Sequence, residues 1–259
     1  MTCWSSLAKC SRPVIKAVLP GDGYPAHRCD PFSAMLYSAH AVYGQENTAP
    51  RFWANESGGI CALSGDALIV SGQFDPQELS SLWVITGAAQ LRGRKEDVAP
   101  LAQHLQKEPK IRPILWLPHR SALRNIPQEP QICAPSPAKI YPLLQTVFGL
   151  PQNRFPAWYC EVSHKIRHGL GNVCAIEQDG TVAATAGIYH QNQEAALLSS
   201  VATHPDHRRR GYAAALCGHL AQSALEQGRC PFVICRDEAA NRVYQRIGFA
   251  FWGEEWTLQ

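Results

Sequence analysis

Three consecutive arginines, Arg208, Arg209 and Arg210, stand directly before Gly211, at the head of a stretch whose small and apolar residues recur at helical spacing. A helix N-terminus presents unpaired backbone N–H groups and about half a positive charge from its dipole. Gly211 removes a side chain that would hold a ligand off that backbone, and the guanidinium groups add mobile charge at the same turn. These are the means by which a chain holds two linked phosphates. Neither G-x-x-x-x-G-K-[ST] nor G-x-G-x-x-G occurs, so ATP and dinucleotide readings lose their main support. A further polar pair follows at Asn241 and Tyr244, and proton acceptors are available at Glu161, His190, Glu194 and Ser199. Alone, the basic run would read as a solvated face or a nucleic-acid patch, and Tyr244 as an amphipathic core residue. The run's place between a buried strand and a helix-opening glycine favours the ligand reading.

The elements that must position these groups are legible. Leu197 to Thr203 is apolar or small at nearly every position, as in a strand covered on both faces. Pro205 cannot extend a ladder, so the strand stops at or before it. Ala213, Leu216, Cys217, Leu220, Ala221, Ala224 and Leu225 then mark one buried helix face. Gly228 lies just past the last of them, where a left-handed stop carries little strain.

Arg208-x-x-Gly211-x-Ala213, preceded by Val201-x-Thr203-x-Pro205 and followed by an amphipathic helix, resembles the acetyl-coenzyme A motif of the GNAT N-acetyltransferase superfamily, Gln/Arg-x-x-Gly-x-Gly/Ala. A second block, Asn241-Arg-Val-Tyr244-Gln-Arg-Ile-Gly248-Phe249, resembles the late helix of the family, its tyrosine, and the Gly-Phe that enters the last strands. The resemblance covers roughly residues 155–259. It implies an α/β fold with a mixed sheet, in which two strands splay apart and expose backbone to the pantetheine arm. By resemblance, the cofactor contacts are Val201, Ala202, Thr203, Arg208, Arg209, Arg210, Gly211, Tyr212, Ala213, Asn241 and Tyr244. A main-chain N–H near Ala202 or Thr203 would polarise the thioester carbonyl.

Composition agrees with a globular enzyme and narrows its partners. The 259 residues are 46% hydrophobic and 17% charged, with a net charge of +3, which describes a folded chain and is too little charge to imply a polyanion. No apolar run approaches the length of a membrane span, and the N-terminus lacks the apolar core of a signal peptide. The ten cysteines contain no C-x-x-C pair, and several occupy places where Val or Ala would serve. The expectation is no metal, no nucleic acid, no membrane, and a reducing, cytoplasmic compartment.

Along the chain, residues 1–29 show no clear period. Helices are expected at Pro31–Tyr43, from Asp75 through Leu82, and at Lys95–Lys107. Strands are expected at Arg51–Ala54, Gly59–Ser71 (a hairpin broken at Ser64–Asp66), near Trp83–Thr86 or Ala89–Leu91, and as an edge strand at Ile111–Leu117, split by Pro113. The proline-rich stretch Pro118–Pro137 reads as a linker or surface loop and divides an N-terminal α/β domain (1–133) from a GNAT domain (134–259). The alternation of strand and helix in the first domain suggests a degenerate copy of the second, without its phosphate turn. In the second, helices near Ala138–Phe148 and Pro156–Leu170 precede strands Val173–Glu177, Thr181–Tyr189 and Ala195–Thr203. The long helix, a strand at Phe232–Cys235, a helix at Asp237–Ile247 and a strand at Phe249–Leu258 complete it.

The implied reaction is acetyl transfer from acetyl-coenzyme A to a primary amine of a small molecule or peptide, by direct attack on the thioester. Tyr244 is the candidate for assisting the departing sulfur. A thiol titrates near ~8.5 and a tyrosine near ~10, so full proton transfer is uphill by about 2 kcal/mol, and a hydrogen bond to the developing thiolate is the better expectation. Glu194 is the first candidate for the base, with His190, Ser199, Glu161 and a chain of water molecules as alternatives. Phe52, Trp53, Trp83 and Trp116 form either an acceptor wall or core. The competing readings are transfer of a longer acyl group and a non-catalytic acyl-coenzyme A-binding or partner-binding module.

Overall fold

The computed structural model describes residues 14–19, 22–24, 28–43, 51–127 and 131–259. Cys3, Cys10 and most of residues 1–29 fall outside them. The first half forms strand β1 (Lys16–Ala17), helix α1 (Pro31–Tyr43), strands β2 (Arg51–Ala54), β3 (Ile60–Ser64) and β4 (Ala67–Ser71), helix α2 (Pro76–Thr86), strand β5 (Gln90–Arg94), helix α3 (Lys95–Leu105) and strand β6 (Lys110–Trp116). The second forms strand β7 (Ile132–Cys133), helices α4 (Pro137–Phe148) and α5 (Phe155–Arg167), strands β8 (Asn172–Gln178), β9 (Thr181–Gln191) and β10 (Ala195–Thr203), helix α6 (Tyr212–Glu226), strand β11 (Cys230–Ile234), helix α7 (Glu238–Arg246) and strand β12 (Ala250–Leu258).

Local chemistry sets many of these boundaries. Asp75 caps α2, its carboxylate accepting from the N–H groups of Gln77 and Glu78, both at 3.0 Å. Asp179 and Gly180, with φ of 50° and 76°, make the tight turn between β8 and β9. Gly228 carries the left-handed φ expected past the end of α6.

All twelve strands form one sheet, in the order β1-β2-β3-β4-β5-β12-β6-β11-β10-β9-β8-β7. The two halves repeat each other within it. β3 and β4 are antiparallel and β4 and β5 parallel, as are β9–β10 and β10–β11 in turn. The parallel pairing begins at Ala67 in one half and Ala195 in the other. Five residues on from each stands a left-handed residue, Gly72 at φ 96° and Ser200 at φ 52°. The first half thus repeats the strand pairing of the second. At the start of α2, in the place that α6 takes in the second half, the N-terminal amides are taken by the Asp75 carboxylate, whose charge would repel an anion.

Each half gives its last strand to the other. β12 pairs with β5, β6 pairs with β11, and β12 and β6 pair with each other at the centre. The expected edge strand at Ile111–Leu117 is therefore an interior one. Pro113 is tolerated because its carbonyl, accepting from Cys235 N at 2.9 Å, faces β11 just where that strand ends at Ile234. The missing N–H falls opposite Cys235, just past the end of β11, so it costs only the last bond of that ladder. Glu255 of β12 is fully buried between Arg92 of β5 (2.6 Å) and Arg112 of β6 (2.5 Å), stitching donor and recipient strands. Removal of one partner would leave an uncompensated buried charge.

Two further expectations are corrected. Trp83–Thr86 is the last turn of α2, not a strand, and β5 begins at Gln90. The stretch after Pro118 is packed rather than free: Ala122, Leu123 and Ile126 lie on the apolar cluster beneath α6, and Arg124 N donates to Ile247 O. Phe52 and Trp83 are buried in the core, and Trp53 and Trp116 pack against it.

Candidate functional site

The site begins where two parallel strands part. β10 pairs with β11 from Ala195↔Cys230 to Leu198↔Val233 and no further, although β10 runs on to Thr203. The register of β10 against β9 shifts between Ser199 and Ala202, around the left-handed Ser200. A bulge of this kind bends a strand and re-aims its groups. Past it, His204 N donates to Ala183 O of β9 at 2.8 Å. Strand alternation then turns the main-chain groups of Thr203 and Val201 away from β9, into the gap, and those of Ala202 toward β9.

At the mouth of the gap the chain makes a 3₁₀ turn at Pro205–His207 and then alternates its backbone hand. Arg209 has φ 64° and Gly211 φ 80°, with Arg208 and Arg210 between and before them on the ordinary side. Successive N–H groups in such an alternation converge into an anion-binding nest. A left-handed arginine costs of order 1–3 kcal/mol and is kept where the surroundings or a ligand repay it. Gly211 is the N-cap of α6 and gives it no side-chain cap, so the first amides of that helix have no partner from the cap residue. The side chains of Arg208, Arg209 and Arg210 are exposed and have no carboxylate partner among the described residues. Tyr212 is buried and stacks on His207, with ring centroids 6.4 Å apart; Ala213 is half-buried.

Asn241 and Tyr244 arrive from α7, beside the same gap. Asn241 Oδ1 is buried without a hydrogen-bond partner. An amide N–H of a pantetheine arm is a donor of the kind this orphaned acceptor lacks, so the residues present fit that group. Tyr244 is buried, packs on Phe249 at 5.9 Å between centroids, and belongs to the cluster under α6. Burial, seconded by Cys217, Cys235 and Asp237, pushes its phenol well above the usual range. The hydroxyl therefore stays protonated, as a donor needs to be.

The candidate bases separate. Glu194 is exposed in the β9–β10 turn, at the opposite end of β10 from the gap, roughly 20 Å or more along the strand from Val201. Its main chain is engaged with Asn192, Cys230 and Cys29, and its position does not bring it to the splayed strands. Ser199 borders the gap, with its hydroxyl donating to Leu197 O at 3.4 Å. Glu161 and His190 come together on either side of Lys165, whose Nζ lies 2.5 Å from Glu161 Oε1 and 3.2 Å from His190 Nδ1; His190 stands opposite Leu197, one residue before the pairing of β10 with β11 ends. Lys165 was not among the expected site residues, although the i, i+4 spacing from Glu161 marks an acid–base pair on one helix face.

The other feature not foreseen is Pro127. A methyl group built on Gly211 would meet Pro127 Cγ at 2.9 Å, and one built on Gly218 would meet Ile126 Cδ1 at 2.5 Å. The segment that follows β6 thus runs along α6 toward the turn. Proline-rich composition alone gives no sign of that destination.

Residues 138–249 match the model of the acetyltransferase (GNAT) family. No curated protein matches the sequence. Among solved structures, a tandem GNAT protein from the clavulanic acid biosynthesis pathway is 13% identical over 94% of this chain and 97% of its own, with a TM-score of 0.61. A GCN5-related N-acetyltransferase from Sphaerobacter thermophilus is 14% identical over 95% of both chains, with a TM-score of 0.57. One from Kribbella flavida is 20% identical over 77% of this chain and 85% of its own, with a TM-score of 0.55. At these identities the likeness is one of fold.

Proposed function

With a GNAT domain in its second half and a GNAT-like copy in its first, this chain is, we propose, an acetyl-coenzyme A-dependent N-acetyltransferase that acts on a primary amine by direct attack on the thioester. One observation carries the reading. The pairing of β10 with β11 stops at Leu198 and Val233, and an alternating-hand turn with an uncapped helix stands at the mouth of the opening.

In this reading the main-chain amides from Arg209 to Ala213 hold the pyrophosphate, with Arg208 to Arg210 supplying charge. Val201 and Thr203 offer their main-chain groups to the pantetheine arm, and Asn241 Oδ1 accepts from it. Fixing the thioester in this way trades translational freedom for orientation. The neutral amine attacks the carbonyl carbon, the carbon–sulfur bond breaks, and the sulfur leaves with its pair of electrons toward the Tyr244 hydroxyl. Burial raises the phenol further from the thiol than its ordinary value, so Tyr244 donates a hydrogen bond and keeps its proton until the thiolate is protonated from solvent. The amine's own proton passes to water, since Glu194 stands at the far end of β10 and Glu161 and His190 are both engaged with Lys165.

The test is the thermal stability of the chain with coenzyme A and with acetyl- and longer acyl-coenzyme A, followed by a screen of amines read by released thiol. A ligand at about 100 times its Kd adds about 2.7 kcal/mol. Arg210→Glu should remove that gain; its survival would place the cofactor elsewhere. Binding without thiol release across the amines would favour the non-catalytic reading.

A further inference from the structure

A cavity of about 460 Å³ lies between the two halves, walled by α1 and the β3–β4 hairpin of the first and by α5 and His190 of the second. At its polar end Lys165 is 1% exposed, although it carries an ammonium group. The ammonium has three N–H donors and two partners, Glu161 Oε1 and His190 Nδ1. A charged Lys165 can only donate to Nδ1, which assigns the ring proton of neutral His190 to Nε2. Arg92 lines the same end. Its Nε and Nη2 are both committed to Glu255, which leaves Nη1 without a partner among the described residues. Three donors of positive or polar character thus have no acceptor, while Leu36, Ala39 and Ile69 give the rest of the wall an apolar surface. Asp66, also on the lining, is exposed and faces Gln90 Nε2.

We propose that this cavity binds the carboxylate of a small molecule with a short apolar body. A carboxylate offers about four acceptor sites, matching donors that arrive from different elements. The apolar wall of Leu36, Ala39 and Ile69 favours a ligand whose body is apolar. The ammonium is already neutralised by Glu161, so the ligand's charge is answered chiefly by Arg92, which shares Glu255 with Arg112 and leaves that trio with one net positive charge. The ligand is either the acceptor of the transfer reaction or an effector bound beside it; the chemistry is the same.

The experiment titrates the full chain, without coenzyme A, with 4-methylpentanoate, leucine and 4-methylpentanamide by calorimetry, so its outcome does not depend on the acyl-transfer reading. The acids should bind, with the amide roughly tenfold or more weaker. Lys165→Met should erase the preference for acid over amide. Ala157→Trp, at an exposed position on the cavity wall, is tolerated by the fold and should weaken all three. Equal binding of acid and amide, no binding of either acid up to about 10 mM, or indifference to Ala157→Trp would each overturn the proposal. Thiol release from acetyl-coenzyme A with leucine would identify the acceptor role, and saturable binding without release the effector role; both support the site.

Discussion

Pro127 closes over Gly211, so that a methyl group on the glycine would stand 2.9 Å from the proline ring. The glycine also holds φ 80° at the first amides of α6. Two independent constraints, backbone hand and contact, therefore exclude a side chain at the position where the cofactor's phosphates are expected. Gly211→Ala should cost about 1–2 kcal/mol of stability from backbone strain alone. It should weaken coenzyme A binding roughly tenfold or more. A melt and a coenzyme A titration check both; full affinity in the variant would mean that the turn does not touch the ligand.

Tyr244→Phe removes a hydroxyl held protonated by its surroundings while keeping the ring against Phe249. Turnover should fall roughly 10- to 1000-fold with the cofactor's Kd little changed. Steady-state rates beside equilibrium titration separate the two quantities. Unaltered turnover would take Tyr244 out of the reaction.

His190 gives the fold a dependence on pH. Burial, with Lys165 and Arg92 nearby, holds its imidazole well below the usual value, so the folded chain keeps it neutral while the unfolded chain protonates it near pH ~6.5. Below that value the unfolded state binds more protons, and stability falls as pH falls, by at most about 1.4 kcal/mol per pH unit from this group. Melts between pH 7.5 and 5.5 (conditions chosen at about one unit either side of ~6.5) should show the loss. His190→Asn should flatten it; an identical slope in the variant would assign the effect to other groups.

The two halves should not fold apart. A fragment ending at residue 133 leaves β5 without β12, and one starting at 134 leaves β11 without β6. Each would expose an unpaired strand edge beside a buried charge cluster. Expressed alone, each should aggregate or self-associate, and together they should form a soluble pair, as size-exclusion chromatography would show. A stable monomeric fragment would contradict the interlocked sheet.

What the sequence made legible is what local rules decide. The strand, turn and helix around Arg208–Ala213 follow from Pro205, Gly211 and Gly228, each acting within a few residues. The capped start of α2 at Asp75 and the turn at Asp179–Gly180 are of the same kind. The exchange of β6 and β12 is not, because their partners lie far along the chain and nothing in a period of two names a partner. Pro113 pointed to an edge since the rule concerns the missing N–H, and only the point where β11 ends shows that the loss is confined to the last bond of that ladder. Trp83, Val84 and Ile85 read as strand by composition, yet α2 continues through them and leaves Val84 and Ile85 about four-fifths exposed (79% and 80%). Here chain continuity past a good cap outweighed side-chain preference. Within the site, the turn at Arg208–Ala213 was readable, whereas the meeting of Glu161, Lys165 and His190 depends on how α5 lies on the sheet. Glu194 looked available in one dimension and stands at the wrong end of its strand in three.

The strand exchange also sets a clock on synthesis. β5 leaves the ribosome roughly 150 residues before the strand that completes its side of the sheet, an interval of about 10–30 s at ordinary elongation rates. During that time the first half is a sheet with one vacant berth, and any chaperone that shields nascent β-structure has a defined target there. Maturation of the second half and closure of the first are then a single late event, governed by how quickly β12 finds its slot.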